Sequence, residues 1–355
     1  MRILLIIKNF DLGGAESHVF TLANELVRQK HDVYLISNSG RQVKSLSPMV
    51  KHVSLQINNT SVLTRLPFLL NFIKKEKIEV IHGHQRLAIF LSSVLKLITK
   101  KPMVATIHGR LKKDLRSYLS KRMVSKVIVV SGNSLKGAKA KKALTNKTIF
   151  IPNGTAFQQE KTTKYNSDLT LVYASRINKK HASLINLIVN NVWPKIIQEH
   201  PNIRLAIFGD GPCKEEVLHI CNQINKQHHE KSVFFNGFSQ TNKKNLSNAS
   251  LVIGSGRTAI EAMIKGIPVL SIHTKYMGKL LTSKNYNDYK YGNFVNLDGC
   301  APEEKMIYDE LNTFLSNKEF FFLEAKNLQN QANKDFNIKH VAQQIVEVYK
   351  EVIVG

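Results

Sequence analysis

Short apolar runs rich in Val, Ile and Leu alternate with amphipathic helical patterns along almost all of this 355-residue chain, and that alternation restricts the fold more than any other feature. Strands covered on both faces read as unbroken apolar runs, and the helices between them supply crossovers. The pattern therefore predicts an α/β protein with parallel sheets. Runs at 3–7, 33–36, 80–82, 104–107, 127–130 and 148–151 form a first series. Residues 155–168 are polar, without apolar period, and read as a linker. The series restarts with runs at 169–174, 205–208, 233–235, 251–253 and 267–270, and a further strand is expected at 292–296. Helices are expected at 87–98, 182–199, 212–227 and through 302–354. A chain of this length exceeds one ordinary core. The expected layout is an N-terminal domain 1–154, a linker 155–168, a C-terminal domain 169–335, and a closing helix 336–355 that can pack back on the N-terminal domain. Each domain is doubly wound and Rossmann-like, and the two are expected to face a cleft.

Ligands of doubly wound sheets bind outside the carboxyl ends of the strands, and chemistry-bearing residues follow the strands here. The stretch 254–270 is the fullest example. Gly254, Ser255 and Gly256 form a turn after an apolar run, a helix follows from Arg257, and Ile260, Met263 and Ile264 share its packed face. A glycine turn opening a helix offers free N–H groups and a positive dipole end to an anion. Glu261 stands one turn further in, four residues from Arg257 and four before Lys265, and suits either an ion pair with these or a ligand contact. Other strand ends carry Gly13-Gly14, His82 and His84, His108-Gly109, Asn153-Gly154, Arg176 and Gly209-Asp210-Gly211. Glu16 suits a cap on the helix after the first glycine turn. Gly209 suits either tight packing or nucleotide contact. His82 alternates inward and reads as structural, and His84 stays open between the two roles.

The net charge of +25 is uneven. Residues 100–147 carry fourteen Lys or Arg against the single acid Asp114, a net +13. Leu111, Leu115, Tyr118, Leu119, Met123 and Val124 interleave with Lys112, Lys113, Arg116, Lys121 and Arg122. A basic amphipathic segment of this kind suits the headgroup layer of an anionic membrane. No zinc pattern, aromatic RNA-binding run or basic zipper accompanies the charge, so nucleic acid is not expected as a partner. Cys213, Cys221 and Cys300 form neither a disulfide framework nor a metal pattern, which points to a reducing cytoplasm. The apolar run near Met1 has five residues, shorter than a secretory leader needs, and no stretch reaches the roughly 20 apolar residues of a membrane span. No Asp-x-Asp pair occurs, so no metal is expected.

Taken together, Gly13-Gly14-Ala15-Glu16, Thr106-Ile107-His108-Gly109, Ile151-Pro152-Asn153-Gly154, Ala174-Ser175-Arg176, Phe208-Gly209-Asp210-Gly211-Pro212, and Glu261-Ala262-Met263 through Gly266-Ile267-Pro268-Val269 resemble glycosyltransferase family 4, in that family's order across nearly the whole chain. The resemblance implies a GT-B fold of two Rossmann-like domains. It also implies retaining transfer of a sugar from a nucleotide-sugar (a UDP-sugar) to a lipid-linked or cell-surface glycan precursor, without cofactor or metal. In that reading Arg176 binds the leaving phosphate and His108 contacts the transferring sugar. The family's Lys five residues after Arg176 is His181 here, with Lys179 and Lys180 before it, so Lys180 is expected to take that part. Glu261 matches the carboxylate that binds ribose. Gly13 and Gly14 match the loop that approaches the diphosphate, and Gly254, Gly256, Arg257 and Thr258 form the donor loop. Glu16, His84, Asn153 and Gly209 are further candidates.

One departure stands out. The family's second Glu, eight residues before Glu261, is Ile253 here, and the glycine-rich turn after it resembles donor loops of inverting relatives of the same fold. Retention needs only front-face attack with the leaving phosphate taking the acceptor's proton. Inversion needs a general base, for which His108, His84 and Glu16 are the candidates. Two other functions fit the same layout: a nucleotide-sugar epimerase, and an inactive membrane-bound partner of an active transferase. The expected location is the cytoplasm, peripheral on the inner face of the cell membrane.

Overall fold

The computed structural model describes residues 1–11, 13–59, 64–108, 115–156, 169–228, 231–237, 246 and 248–355. The chain divides into two compact units: Met1–Ala156 with Asp335–Gly355, and Phe157–Lys334. The expected linker falls on 157–168, outside the described residues, apart from Thr155 and Ala156. Thr155 belongs to the first unit, where its N–H donates to Phe336 O (2.8 Å) and its carbonyl accepts from Ile338 N (3.0 Å).

Unit 1 is built on a seven-stranded sheet of β1 (Arg2–Ile7), β2 (Asp32–Ser37), β3 (Lys51–Ser54), β4 (Val80–His84), β5 (Met103–Ile107), β6 (Lys126–Val129) and β7 (Thr148–Phe150). The order is β3-β2-β1-β4-β5-β6-β7, and every pairing is parallel. Strand β3 and the helix Leu66–Lys75 were not anticipated from the sequence; β3 is a four-residue edge strand whose residues Lys51 and Ser54 are exposed, so no apolar run marks it. The helix Ile338–Val354 closes this core: Val341, Ala342, Ile345, Val348 and Tyr349 cluster with Ile3, Leu5 and Val19. A side chain at Gly154 would collide with Ile338, so this glycine of the Pro-Asn-Gly motif is required for the helix to seat.

Unit 2 carries a six-stranded sheet of β8 (Thr170–Ala174), β9 (Arg204–Phe208), β10 (Val233–Phe235), β11 (Leu251–Gly254), β12 (Val269–His273) and β13 (Tyr276–Leu280), in the order β10-β9-β8-β11-β12-β13. All pairings are parallel except that β13 runs antiparallel to β12. The expected strand at 292–296 is instead a turn. Asn293 and Phe294 both have left-handed φ, 54° and 57°, which breaks any strand. Buried anchors hold it: Ser271 Oγ donates to Phe294 O (2.7 Å), and the Phe294 ring packs on Tyr286 at 5.3 Å. The expected helix 182–199 is widened into a π-helix over Leu187–Val192, directly before Trp193-Pro194. Proline has no N–H and its ring crowds the preceding turn, and the wider turn relieves both. Trp193 is fully buried there and donates from Nε1 to Ser232 Oγ at 3.0 Å.

Candidate functional site

In each sheet the winding reverses between the first strand and the fourth: between β1 and β4 in unit 1, and between β8 and β11 in unit 2. The candidate residues gather at the carboxyl ends of these strands, where such sheets open a crevice.

In unit 1 the helix Gly14–Arg28 starts after β1. Glu16 folds back so that a Cβ at Gly13 would collide with its carboxylate, whereas a Cβ at Gly14 would meet nothing. Packing explains the first glycine only in part and the second not at all. Glu16 Oε1 accepts from Gln85 Nε2 at 2.6 Å, which ties the two strand ends together. Gln85 holds a left-handed φ of 63° just after β4, a strained position that no sequence pattern signalled.

Behind this pair lies a histidine cluster. His84 Nδ1 and His108 Nε2 are 3.3 Å apart, within hydrogen-bonding distance. Ring centroids separate by 4.1 Å for His82 and His84, 5.2 Å for His18 and His108, and 5.6 Å for His84 and His108. His82 is structural, as its inward register implied. Its Nδ1 bonds the Tyr349 hydroxyl (2.5 Å), its Nε2 bonds Thr106 Oγ1 (2.8 Å), and so it fixes the closing helix to the sheet. Burial, with neighbouring histidines adding to it at His82 and His84, favours the neutral form of His82, His84 and His108. His82 is lowered to about 3 and His108 to about 4, and His84 is pushed well below its ordinary value. His84 Nε2 and His108 Nδ1 are buried without a hydrogen-bond partner among the described residues. Among those residues no group of three or more His, Cys, Asp or Glu is placed to hold a metal ion. Asn153 lies partly buried after β7, and its Oδ1 has no hydrogen-bond partner among the described residues. Gly109, and residues 110–114 of the basic segment, lie outside the described residues; the helix Leu115–Met123 remains.

In unit 2, Arg176 follows β8 and its side chain is exposed. Asn178 caps the next helix, accepting from Lys180 N (3.0 Å) and His181 N (3.2 Å). Lys179 and Lys180 are therefore displayed from the first turn, whereas His181 turns inward and bonds the Tyr173 hydroxyl at 2.8 Å. The family's lysine position is thus filled by a residue occupied with packing. Across the switch point, Thr258 Oγ1 donates to Ala174 O (3.2 Å), tying the helix Arg257–Ile264 to the end of β8. Gly256 has a φ of 63° with open space where a Cβ would be. Its N–H is not free: it donates to Asn293 O at 2.7 Å, so the turn at 293–294 takes one of the donors expected for an anion. The ion pair allowed by the i,i+4 spacing forms, with Arg257 Nε 2.6 Å from Glu261 Oε1; the carboxylate is buried and the guanidinium half-exposed. Gly209 is a packing glycine, since a Cβ there would collide with the Ser175 carbonyl. Ile253 is fully buried in the unit 2 core.

Comparison with known proteins agrees with this layout. The family model described as Glycosyltransferase Family 4 matches residues 12–158, and that described as Glycosyl transferases group 1 matches residues 155–293. A phosphatidylinositol N-acetylglucosaminyltransferase component of Arabidopsis thaliana is 26% identical over 239 residues, which are 60% of this chain and 53% of the plant protein. Its human namesake is 22% identical over 381 residues, covering 97% of this chain and 74% of the human protein. The chain thus spans about half of the plant relative and three quarters of the human one. In fold it is similar to the crystal structure of Anabaena HepE in complex with UDP-glucose, with a TM-score of 0.72, 18% identity and coverage of 99% of this chain and 100% of that one.

Proposed function

This chain belongs to the family 4 glycosyltransferases of GT-B fold, and from that premise we propose that it moves a sugar from a UDP-sugar to a lipid-linked or cell-surface glycan precursor, with retention of configuration. The observation that carries the reading is the Thr258–Ala174 hydrogen bond. It ties the helix after the 254–256 turn to the end of β8, just before exposed Arg176 and the helix whose first turn carries exposed Lys180. Two cations beside a helix N-terminus suit a diphosphate. N-acetylglucosamine is the first donor sugar to test, since the plant and human relatives are N-acetylglucosaminyltransferases by name.

In the proposed reaction the bond from the sugar C1 to the β-phosphate oxygen breaks and the acceptor oxygen bonds C1 from the same face. The acceptor's proton goes to the departing phosphate, and UDP leaves. Arg176 and Lys180 stabilise the charge that grows on that phosphate. The Glu261 carboxylate is shared between Arg257 and the ribose hydroxyls, and Gly14 and Gly256 let backbone approach the donor. His108 bonds a sugar hydroxyl. Its low pKa favours retention over inversion, because a ring that is acidic when protonated is a weak general base. The acceptor reading draws on the basic 100–147 segment and on the phosphatidylinositol acceptor in the relatives' name, and places the protein peripherally on the inner membrane face. Among the described residues no helix is long and apolar enough to cross a membrane.

Thermal-shift titration with UDP, GDP, ADP and TDP tests the donor. UDP at a hundredfold excess over its Kd should add about 2.7 kcal/mol of stability; no shift with any of the four would overturn the proposal. Co-sedimentation should require anionic liposomes and weaken with salt, and equal binding to neutral liposomes would remove the membrane part.

A further inference from the structure

We propose that a cavity inside unit 1 holds one acyl chain of an anionic phospholipid acceptor. The cavity has a volume of about 370 Å³, within the range of small-molecule pockets. It lies between the helices Arg86–Thr99 and Leu115–Met123, over the carboxyl end of β5. Its apolar lining comes from Ile89, Ala105, Ile107, Val124, Val127 and Leu144.

Several of the polar groups in the lining already have partners. Thr106 Oγ1 is bonded to His82 (2.8 Å), Ser120 Oγ to Arg116 O (2.8 Å), and the Gln85 amide to Glu16 (2.6 Å). A sugar or nucleotide in such a space would bury more hydroxyls than the remaining polar groups, His108 Nδ1 among them, can satisfy, which costs binding. An aliphatic chain has none to satisfy. The lining also includes the cations Arg86 and Lys121, one exposed and one half-buried, so positive charge borders the cavity and suits a charged end of the ligand. The helix that carries Lys121 adds Arg116 and Arg122, within the segment of net +13. Charge therefore selects a phosphate on the same molecule as the chain. His108 lines the cavity too, and the proposal sets the polar end of the lipid beside this residue, assigned above to the transferring sugar. This last step rests on the glycosyltransferase reading; the binding itself does not.

The test is calorimetric titration of the full chain with dihexanoyl phosphatidic acid below its micellar concentration. Comparison ligands are the dibutanoyl form, glycerol 3-phosphate, dihexanoyl phosphatidylcholine and farnesyl phosphate. The dihexanoyl acid should bind at least tenfold more tightly than glycerol phosphate, with about a fourfold gain for each methylene that enters the cavity. Ile89→Trp, which fills the space, should weaken the lipid at least tenfold and leave the UDP shift intact. Lys121→Gln should remove the preference for phosphatidic acid over phosphatidylcholine and is expected to fold normally, because Lys121 is not in the core. Equal affinity for lipid and glycerol phosphate would overturn the proposal. So would tighter binding of farnesyl phosphate, or unchanged lipid affinity in Ile89→Trp with native circular dichroism. Lipid binding without any UDP shift would instead sink the donor reading and leave the cavity assignment standing.

Discussion

At the carboxyl end of the unit 1 sheet, four buried histidine rings stand with neighbouring centroids 4.1–5.8 Å apart, and burial favours the neutral form of His82, His84 and His108. At the matching end of the unit 2 sheet, Arg176 and Lys180 are exposed and a glycine turn opens a helix. The winding is the same and the electrostatic tasks are opposite. Unit 1 withdraws its titratable groups from water, and burial removes their charge. Unit 2 holds permanent cations in water, where charge costs little. A sheet of this kind thus sets only where a site lies; the side chains at the first and fourth strands decide what it can hold.

The largest test of the contrast is Arg176→Ala. On the proposed role of Arg176 at the leaving phosphate, removing its charge should lower kcat by about 10²–10³-fold. Thermal stability should hardly change, since the side chain is exposed. Glucosyl or N-acetylglucosaminyl transfer measured by UDP release checks it, and a rate within threefold of wild type would break the assignment.

Second comes pH. Folded pKa values below the ordinary 6.5 mean that the unfolded chain binds more protons as pH falls through 6.5 toward about 4. Unit 1 stability should therefore rise with pH in that window and be lost on acidification, by about 2 kcal/mol per histidine between pH 6.5 and 5. Hydrogen exchange at pH 7 and 5 should show the loss in β1, β4 and β5 and not in β8, β9 or β11.

A smaller effect is expected from Tyr349→Phe, which leaves His82 Nδ1 without its partner. It should destabilise unit 1 by about 1–2 kcal/mol in urea unfolding. The smallest is Gly14→Ala. A Cβ there meets nothing, so stability should shift by less than about 0.5 kcal/mol while KM for the donor rises. A stability loss above about 2 kcal/mol, the size of a buried-site effect, would show that the glycine serves the fold.

The sequence made the sheets and their ligand-bearing ends legible because buried parallel strands leave unbroken apolar runs, as at 3–7 and 251–253. It also marked Arg176, through the family resemblance, and the 254–261 stretch, through its glycine turn and the i,i+4 spacing of Arg257 and Glu261. It did not show what depends on distant partners. His18, His82, His84 and His108 come together only once β4 and β5 pair and the first helix packs over them. The left-handed Asn293-Phe294 turn is held by Ser271 and Gly256, and nothing local distinguishes it from a strand. The cavity beside His108 likewise belongs to two helices and a strand end that no single window contains.

The closing helix Ile338–Val354 has a consequence for the order in which the protein is made. It completes the unit 1 core, yet it is synthesised after the whole of unit 2. Unit 2 lies between the two parts of unit 1 and can fold as it appears, whereas the first 156 residues wait, with part of one sheet face uncovered, until the closing helix has been made. The first half of this chain to be translated is thus the last to become native. During that wait the faces of Ile3, Leu5 and Val19 that the helix will cover are its exposed apolar surface, and the place where a chaperone or an aggregate would take hold.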